Sequence, residues 1–289
     1  MRSTALLHSS VPKQPSSPFT PPVLADFAIC ARIAHRARIT HFLGAIVILL
    51  VIACFSAAQF SGRQPATVAL DVGFSLLRLC LPLMAILLLQ ELFYREFDRK
   101  YYLLSLTYPR TRFAFLLGRG LAVLACTLGS LLLLSLILGL TVEFIAREYA
   151  LSLPPSLGTP FAITILFMAL DLTVAVAVGT LISIAASSTS FVLVGTLGFL
   201  LCARSFSPII ELLAMDSTLV SNAQTYQSSL SLLGYLFPDL AKLDVRMIAL
   251  YNNMAFLPGN WPTLVLTTSA YALALFSLSV WLLGRRRFS

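Results

Sequence analysis

Few side chains in the 289-residue sequence have the type and spacing to do chemistry. The histidines, His8, His35 and His41, all lie towards the N-terminus and make no H-E-x-x-H or other metal-ligand spacing. Cys30, Cys54, Cys80, Cys126 and Cys202 form no C-x-x-C pair, and all but Cys30 sit in apolar runs, where they read as small core hydrophobes. A P-loop requires Lys followed by Ser or Thr after a Gly-rich turn, whereas Lys13, Lys100 and Lys242 are followed by Gln14, Tyr101 and Leu243. The chain is therefore expected to carry no catalytic centre, no cofactor and no metal, and not to bind ATP itself. What remains is charge in costly places. An ionisable group inside an apolar run is expensive and by default functional, and Arg78, Glu91, Asp171 and Glu211 are the four that stand out. Asp171, near the middle of its run, must face protein or a polar cavity; pairing with a neighbouring span and lining a substrate path both satisfy that requirement. Arg78 and Glu211 lie towards run ends, where a long side chain reaches the interface, and Glu91 reads as structural.

The elements that position these groups follow from composition. With 58% hydrophobic and 11% charged residues and a mean hydropathy of +0.89, the sequence is excluded from the ordinary soluble domains, about a quarter of whose residues are charged. Six apolar runs, 40–60, 73–92, 113–140, 160–185, 190–213 and 261–283, each meet the roughly 20 residues that a hydrocarbon core demands. Most of the 20 Lys and Arg residues fall before the first run, between the second and third, or after the sixth. The positive-inside rule then places both termini in the cytoplasm, and the net charge of +8 reads as loop bias rather than affinity for nucleic acid. The expected fold is all-α and integral to the membrane, with six transmembrane helices and short re-entrant or external helices between the fifth and sixth. The Ser- and Pro-rich residues 1–22 lack the apolar core of a signal peptide and are expected to be a disordered cytoplasmic tail. Residues 23–39 mix apolar and basic positions as an amphipathic interfacial helix does, residues 40–284 form the six-span domain, and 285–289 are a basic tail. Between the fourth and fifth runs, Ser183, Ala185, Ala186, Ser187, Ser188, Thr189 and Ser190 favour close hairpin packing. The stretch 204–260 is interrupted by Pro238, Asp239, Lys242, Asp244 and Arg246 and so forms no seventh span.

The richest loop is 91–119. Glu91 with Arg95 and Glu96 with Lys100 are i,i+4 pairs with the acid first, the favourable order on a helix, so the second span is expected to continue into a charged helix. Pro109 disfavours helix in Tyr108 and sets a sharp exit. The series Glu96-Phe97-Asp98, Leu103-Leu104, Leu106-Thr107-Tyr108-Pro109, Arg112 and Leu117-Gly118-Arg119 resembles the signature of type-2 ABC exporter permeases, most of all the permeases of the nitrous oxide reductase copper-site maturation system. Tyr235-Leu236-Phe237-Pro238-Asp239 is similar to the Pro-containing segment which that family places between its fifth and sixth spans. Arg99-Lys100 stands where the family usually has Gly-Thr.

The resemblance implies a transporter subunit rather than an enzyme: a multi-pass permease of the bacterial inner membrane, embedded in lipid, working as a homodimer with a separate ABC ATPase subunit that binds the ATP. It carries Glu96, Asp98, Tyr101, Pro109, Arg112 and Arg119 over as contacts or supports for that subunit, and makes the exported substrate lipid-like or hydrophobic. With Met215, Met247 and Met254 but no His in 204–260, direct copper carriage is not supported. Two other readings stay open. In one, Asp171 with Arg78 couples ions in a secondary transporter; in the other, the chain transmits force to a periplasmic partner docked on 204–260.

Overall fold

The computed structural model describes residues 39–94, 112–148, 157–186, 188–215 and 238–285, and only the backbone of 93–94, 112–115, 206–207 and 209–215. The 1–22 tail, most of the 23–39 segment and residues 286–289 of the basic tail lie outside them. The described residues are helical and include no strand. In chain order they form α1 (Ile39–Phe60), α2 (Pro65–Leu89) continuing as a π-turn (Gln90–Tyr94), α3 (Arg112–Glu148), α4 (Thr159–Ala185) and α5 (Thr189–Met215). A 3-10 turn (Ala241–Leu243), the short α6 (Arg246–Tyr251), a second 3-10 turn (Met254–Phe256) and α7 (Trp261–Arg285) follow. Helices α1, α2, α3, α4 and α7 are long and apolar enough to cross a membrane. In α5 the apolar stretch is Thr189–Ser205.

Helix starts follow local chemistry. Pro65 and Pro160 occupy the first turns of α2 and α4, where a missing N–H costs nothing and the fixed φ suits the helix. Hydroxyls inside the bundle bond their own helix: Thr164 donates to Pro160 O (2.9 Å), Thr180 to Val176 O (2.7 Å) and Ser183 to Gly179 O (2.6 Å). Apolar surroundings offer them no other acceptor.

Helices α2 and α4 form the centre, with 61% and 56% of their most apolar stretches buried against 17% for α1 and for α7. α1 and α3 flank α2, while α5 and α7 pack on α4. One core cluster joins Leu50, Leu70, Leu77, Leu81 and Leu134; a second joins Val174, Ala177, Leu200, Ala203, Leu243 and Ile248. α4 contributes to both clusters and ties the two halves together. The segment 238–251 contributes Leu240, Leu243, Val245 and Ile248 to the second core, so it is folded back among α2, α4 and α5 rather than lying on the bundle end.

Three boundaries differ from the hydropathy reading. α2 starts at Pro65 rather than at residue 73, because Asp71 depresses local hydropathy although its charge is paired with Arg246. α3 runs to Glu148 rather than 140, its last turns supported by a Glu143–Arg147 ion pair at 3.0 Å. Past Leu89 the backbone opens into the π-turn instead of continuing as α-helix.

α2 and α3 pack closely at Gly73, where an added side chain would run into Leu138. Gly73→Leu should lower stability by about 1–3 kcal/mol, the usual range for overpacking, as a fall in thermal midpoint in detergent. Gly139→Leu, at a position with open space around it, should not lower the midpoint, since leucine is the better helix former. Equal midpoints for both variants would disprove the α2–α3 packing.

Candidate functional site

Asp71, Ser75 and Arg78 fall at i, i+4 and i+7 of α2, which places them along one face. Asp171 reaches that region from α4, Arg204 from α5, and Asp244 and Arg246 from the inserted segment. Arg78 forms an ion pair with Asp244 and donates to Leu240 O at 3.0 Å. Arg246 binds Asp71 at 3.0 Å, donates to Ser75 Oγ at 2.8 Å and lies 3.6 Å from Asp244. Arg204 donates to Asp171 Oδ2 at 2.5 Å. Three arginines thus face three aspartates, with no net charge.

A second link runs through the backbone. Pro82, inside α2, has no N–H to give to the carbonyl four residues earlier, which is that of Arg78. Arg204 donates to that same Arg78 oxygen at 3.3 Å. One arginine therefore joins the carboxylate of α4 to the carbonyl that a proline frees in α2.

The depths agree. At about 1.5 Å per residue, Arg78 lies about 20 Å and Asp171 about 18 Å from the starts of their helices, and Arg204 about 17 Å from the end of α5. All three are measured from the end of the bundle at which α2 begins, the Pro65 end. Asp171 is 4% exposed, and its Oδ1 and Arg204 Nε have no hydrogen-bond partner among the described residues. A pocket of about 20 Å³ lies beside them, lined by Phe74, Arg78, Thr164, Met168, Asp171 and Asp244; that volume suits one water-sized group. Phe74 stacks at a tilt on Phe161, ring centroids 5.5 Å apart, and closes one wall.

At the opposite end, two long-range bonds fix the π-turn. Gln90 Nε2 donates to Thr189 O at the start of α5 (3.0 Å), and Arg119 Nη1 donates to Leu92 O (2.5 Å). Arg119 is 6% exposed, its guanidinium taken up at the turn from which the charged loop leaves.

The chain matches no protein-family model and no curated protein.

Of the residues singled out from sequence, the structure brings Arg78 and Asp171 into one network. Asp171 pairs with a neighbouring helix and also lines the pocket. Arg78 departs from the expectation that it reaches the interface: Asp244 and the Leu240 carbonyl hold it in the bundle, its side chain 19% exposed. Arg204 belongs to α5. Arg112 opens α3, and Glu211 falls in α5; the side chains of both lie outside the described residues, as do Glu96, Asp98, Tyr101 and Pro109 altogether. Sequence reasoning missed Asp71, Arg204, Asp244 and Arg246 as partners. The signal was available for Arg204, the one cation in the 190–213 run, at the depth where Asp171 needs one.

Removing one member of a buried pair leaves an uncompensated charge and costs about 3–5 kcal/mol, whereas replacing both by apolar groups is often neutral. Asp171→Leu and Arg204→Leu should therefore each depress the thermal midpoint strongly, and the double variant should recover most of the loss. Losses that simply add would show that the two residues do not interact.

Proposed function

We propose that the protein is the membrane-spanning permease subunit of an ABC-type exporter, with six spans and both termini cytoplasmic, placed in a bacterial inner membrane. In this reading it works as a homodimer with two separate ATPase subunits, which bind the ATP, and exports a lipid-like or hydrophobic substrate. Two features support it: the loop signature from Glu96 to Arg119 in the sequence, and the fixing of the chain on either side of that loop. The observation that carries most weight is the Arg119 bond to Leu92 O, supported by Gln90 on Thr189 O. Together they tie the ends of α2, α3 and α5 at the point where the loop leaves and returns. A push on a loop anchored in this way moves helices rather than bending a tether. Glu96, Asp98, Tyr101, Pro109 and Arg112 would meet the ATPase, with Arg119 as the support behind them.

The closed ion-pair network and its water-sized pocket support movement of substrate along the bundle's edge or between two copies, rather than through one. They equally favour a second reading, in which ATP-driven motion passes to a periplasmic partner and nothing crosses. They weigh against ion coupling by Asp171, whose carboxylate is already committed to Arg204.

Co-purification with ABC ATPase subunits expressed together with this chain from the source genome tests the proposal. Wild type should bind such a subunit and support detergent ATPase activity, while Glu96→Lys with Asp98→Lys should lose both and remain monodisperse. A wild-type chain that retains no ATPase would sink the reading. To separate the two forms, reconstituted complexes would be assayed for lipid movement; activity without movement favours force transmission.

A further inference from the structure

The connection from α6 to α7 differs from the other described surface at the Pro65 end. Connection 61–64 exposes Arg63, and the end of α3 exposes Glu143 and Arg147. From Met247 to Gly284, by contrast, the sequence has no Lys, Arg, Asp or Glu. Within this uncharged stretch Met247, Tyr251, Met254, Phe256 and Trp261 are all 44–55% exposed. Exposed Asn252, Asn253 and Asn260 alternate with them. The backbone is ordered by local bonds: Asn252 takes a left-handed φ of 51° to end α6, Asn253 Oδ1 accepts from Ala255 N (2.9 Å), and the Tyr251 and Phe256 rings meet at 5.9 Å.

Depth places this surface. Leu240 is bonded to Arg78, and Arg246 to Asp71 and Ser75, so the segment meets α2 along 71–78, on the Pro65 side of Pro82. From there α6 and residues 252–260 lead to Trp261, the first residue of a helix apolar and long enough to cross a membrane. α1, with 22 residues, is about 33 Å long and just spans a hydrocarbon core of about 30 Å; its last residue, Phe60, marks the boundary at this end. The loop therefore lies where hydrocarbon gives way to headgroups. Aromatic rings interleaved with uncharged amides are the composition that boundary favours, because the rings take the apolar side and the amides hydrogen-bond on the wet side.

We propose that Met247, Tyr251, Met254, Phe256 and Trp261 form a lipid-contacting pad, immersed in the headgroup–acyl boundary of the leaflet at the Pro65 end, which holds the inserted segment against the membrane. The surface is thereby assigned to lipid and not to a protein partner. This proposal is independent of any ATPase.

The test uses the full chain in phosphatidylcholine nanodiscs with one tryptophan, introduced as Phe256→Trp in a Trp261→Phe, Trp281→Phe background. Its emission should be blue-shifted, lose most of its intensity to lipids brominated near the acyl carboxyl end, and resist aqueous iodide. Strong quenching by iodide with no response to brominated lipid would overturn the pad and leave the surface to a protein partner. Should that triple variant fail to fold, Trp281→Phe alone reports from native Trp261, with Tyr251→Ser and Phe256→Ser added in turn. Loss of pad residues should then raise iodide access at Trp261, and unchanged access would contradict the proposal.

Discussion

Charge inside an apolar helix bundle is tolerable only when it is paired, and that constraint organises this protein. Arg78 and Arg204 would each be costly among the leucines of α2 and its neighbours, while Arg246, its side chain 36% exposed, sits at their edge. Asp244, Asp171 and Asp71 offset them one for one. Because the partners come from α2, α4, α5 and the inserted segment, satisfying the charges also fixes which elements touch. Pairing of this kind is weak evidence for stability as such, since apolar replacements often do as well. Its effect here is on arrangement: the segment 238–251 carries Asp244 and Arg246 and can seat itself only where α2 presents Arg78 and Asp71.

Helix α2 links the two ends of the molecule. Its first half carries Asp71 and Ser75 and its middle Arg78; the π-turn that continues it carries Gln90 and Leu92, bonded to α5 and α3. Between them Pro82 removes one helical hydrogen bond and hands the Arg78 carbonyl to Arg204. In the proposed function a push at the loop would travel along a rod whose far end is latched to the inserted segment. The π-turn at Gln90–Tyr94 is the kind of local irregularity that helices carry at functional positions.

Much of this was legible in the sequence. Spans 40–60, 160–185 and 261–283 agree with α1, α4 and α7 to within two residues, because unbroken apolar runs leave little choice. The boundaries that moved did so at charges: Asp71 hid the first turns of α2, and Glu143 and Arg147 hid the last turns of α3. Asp171 was recognisable as needing a partner, since its burial is dictated by position. Which partner it takes was not recognisable, because a hydropathy window treats Arg204 as a mark against the span rather than as half of a pair. The seating of 238–251 was harder still. Its polar residues interrupt any apolar run, and only three-dimensional pairing shows that Asp244 meets Arg78 and that Arg246 meets Asp71 and Ser75 at the edge of the bundle. The Pro82 effect needed the same step, from a missing N–H to a donor on another helix.

Ion pairs seat the inserted segment, and Leu243, 3% exposed in the wild-type fold, reports on that directly. Leu243→Cys would be introduced into a chain otherwise free of cysteine, in nanodiscs open on both faces, and labelling by a charged maleimide followed over time. Slow labelling with Asp244 in place, and fast labelling once Asp244→Asn is added, is the predicted result. Equal labelling rates in the two backgrounds would contradict it, showing that the segment's position does not depend on the charges that meet there.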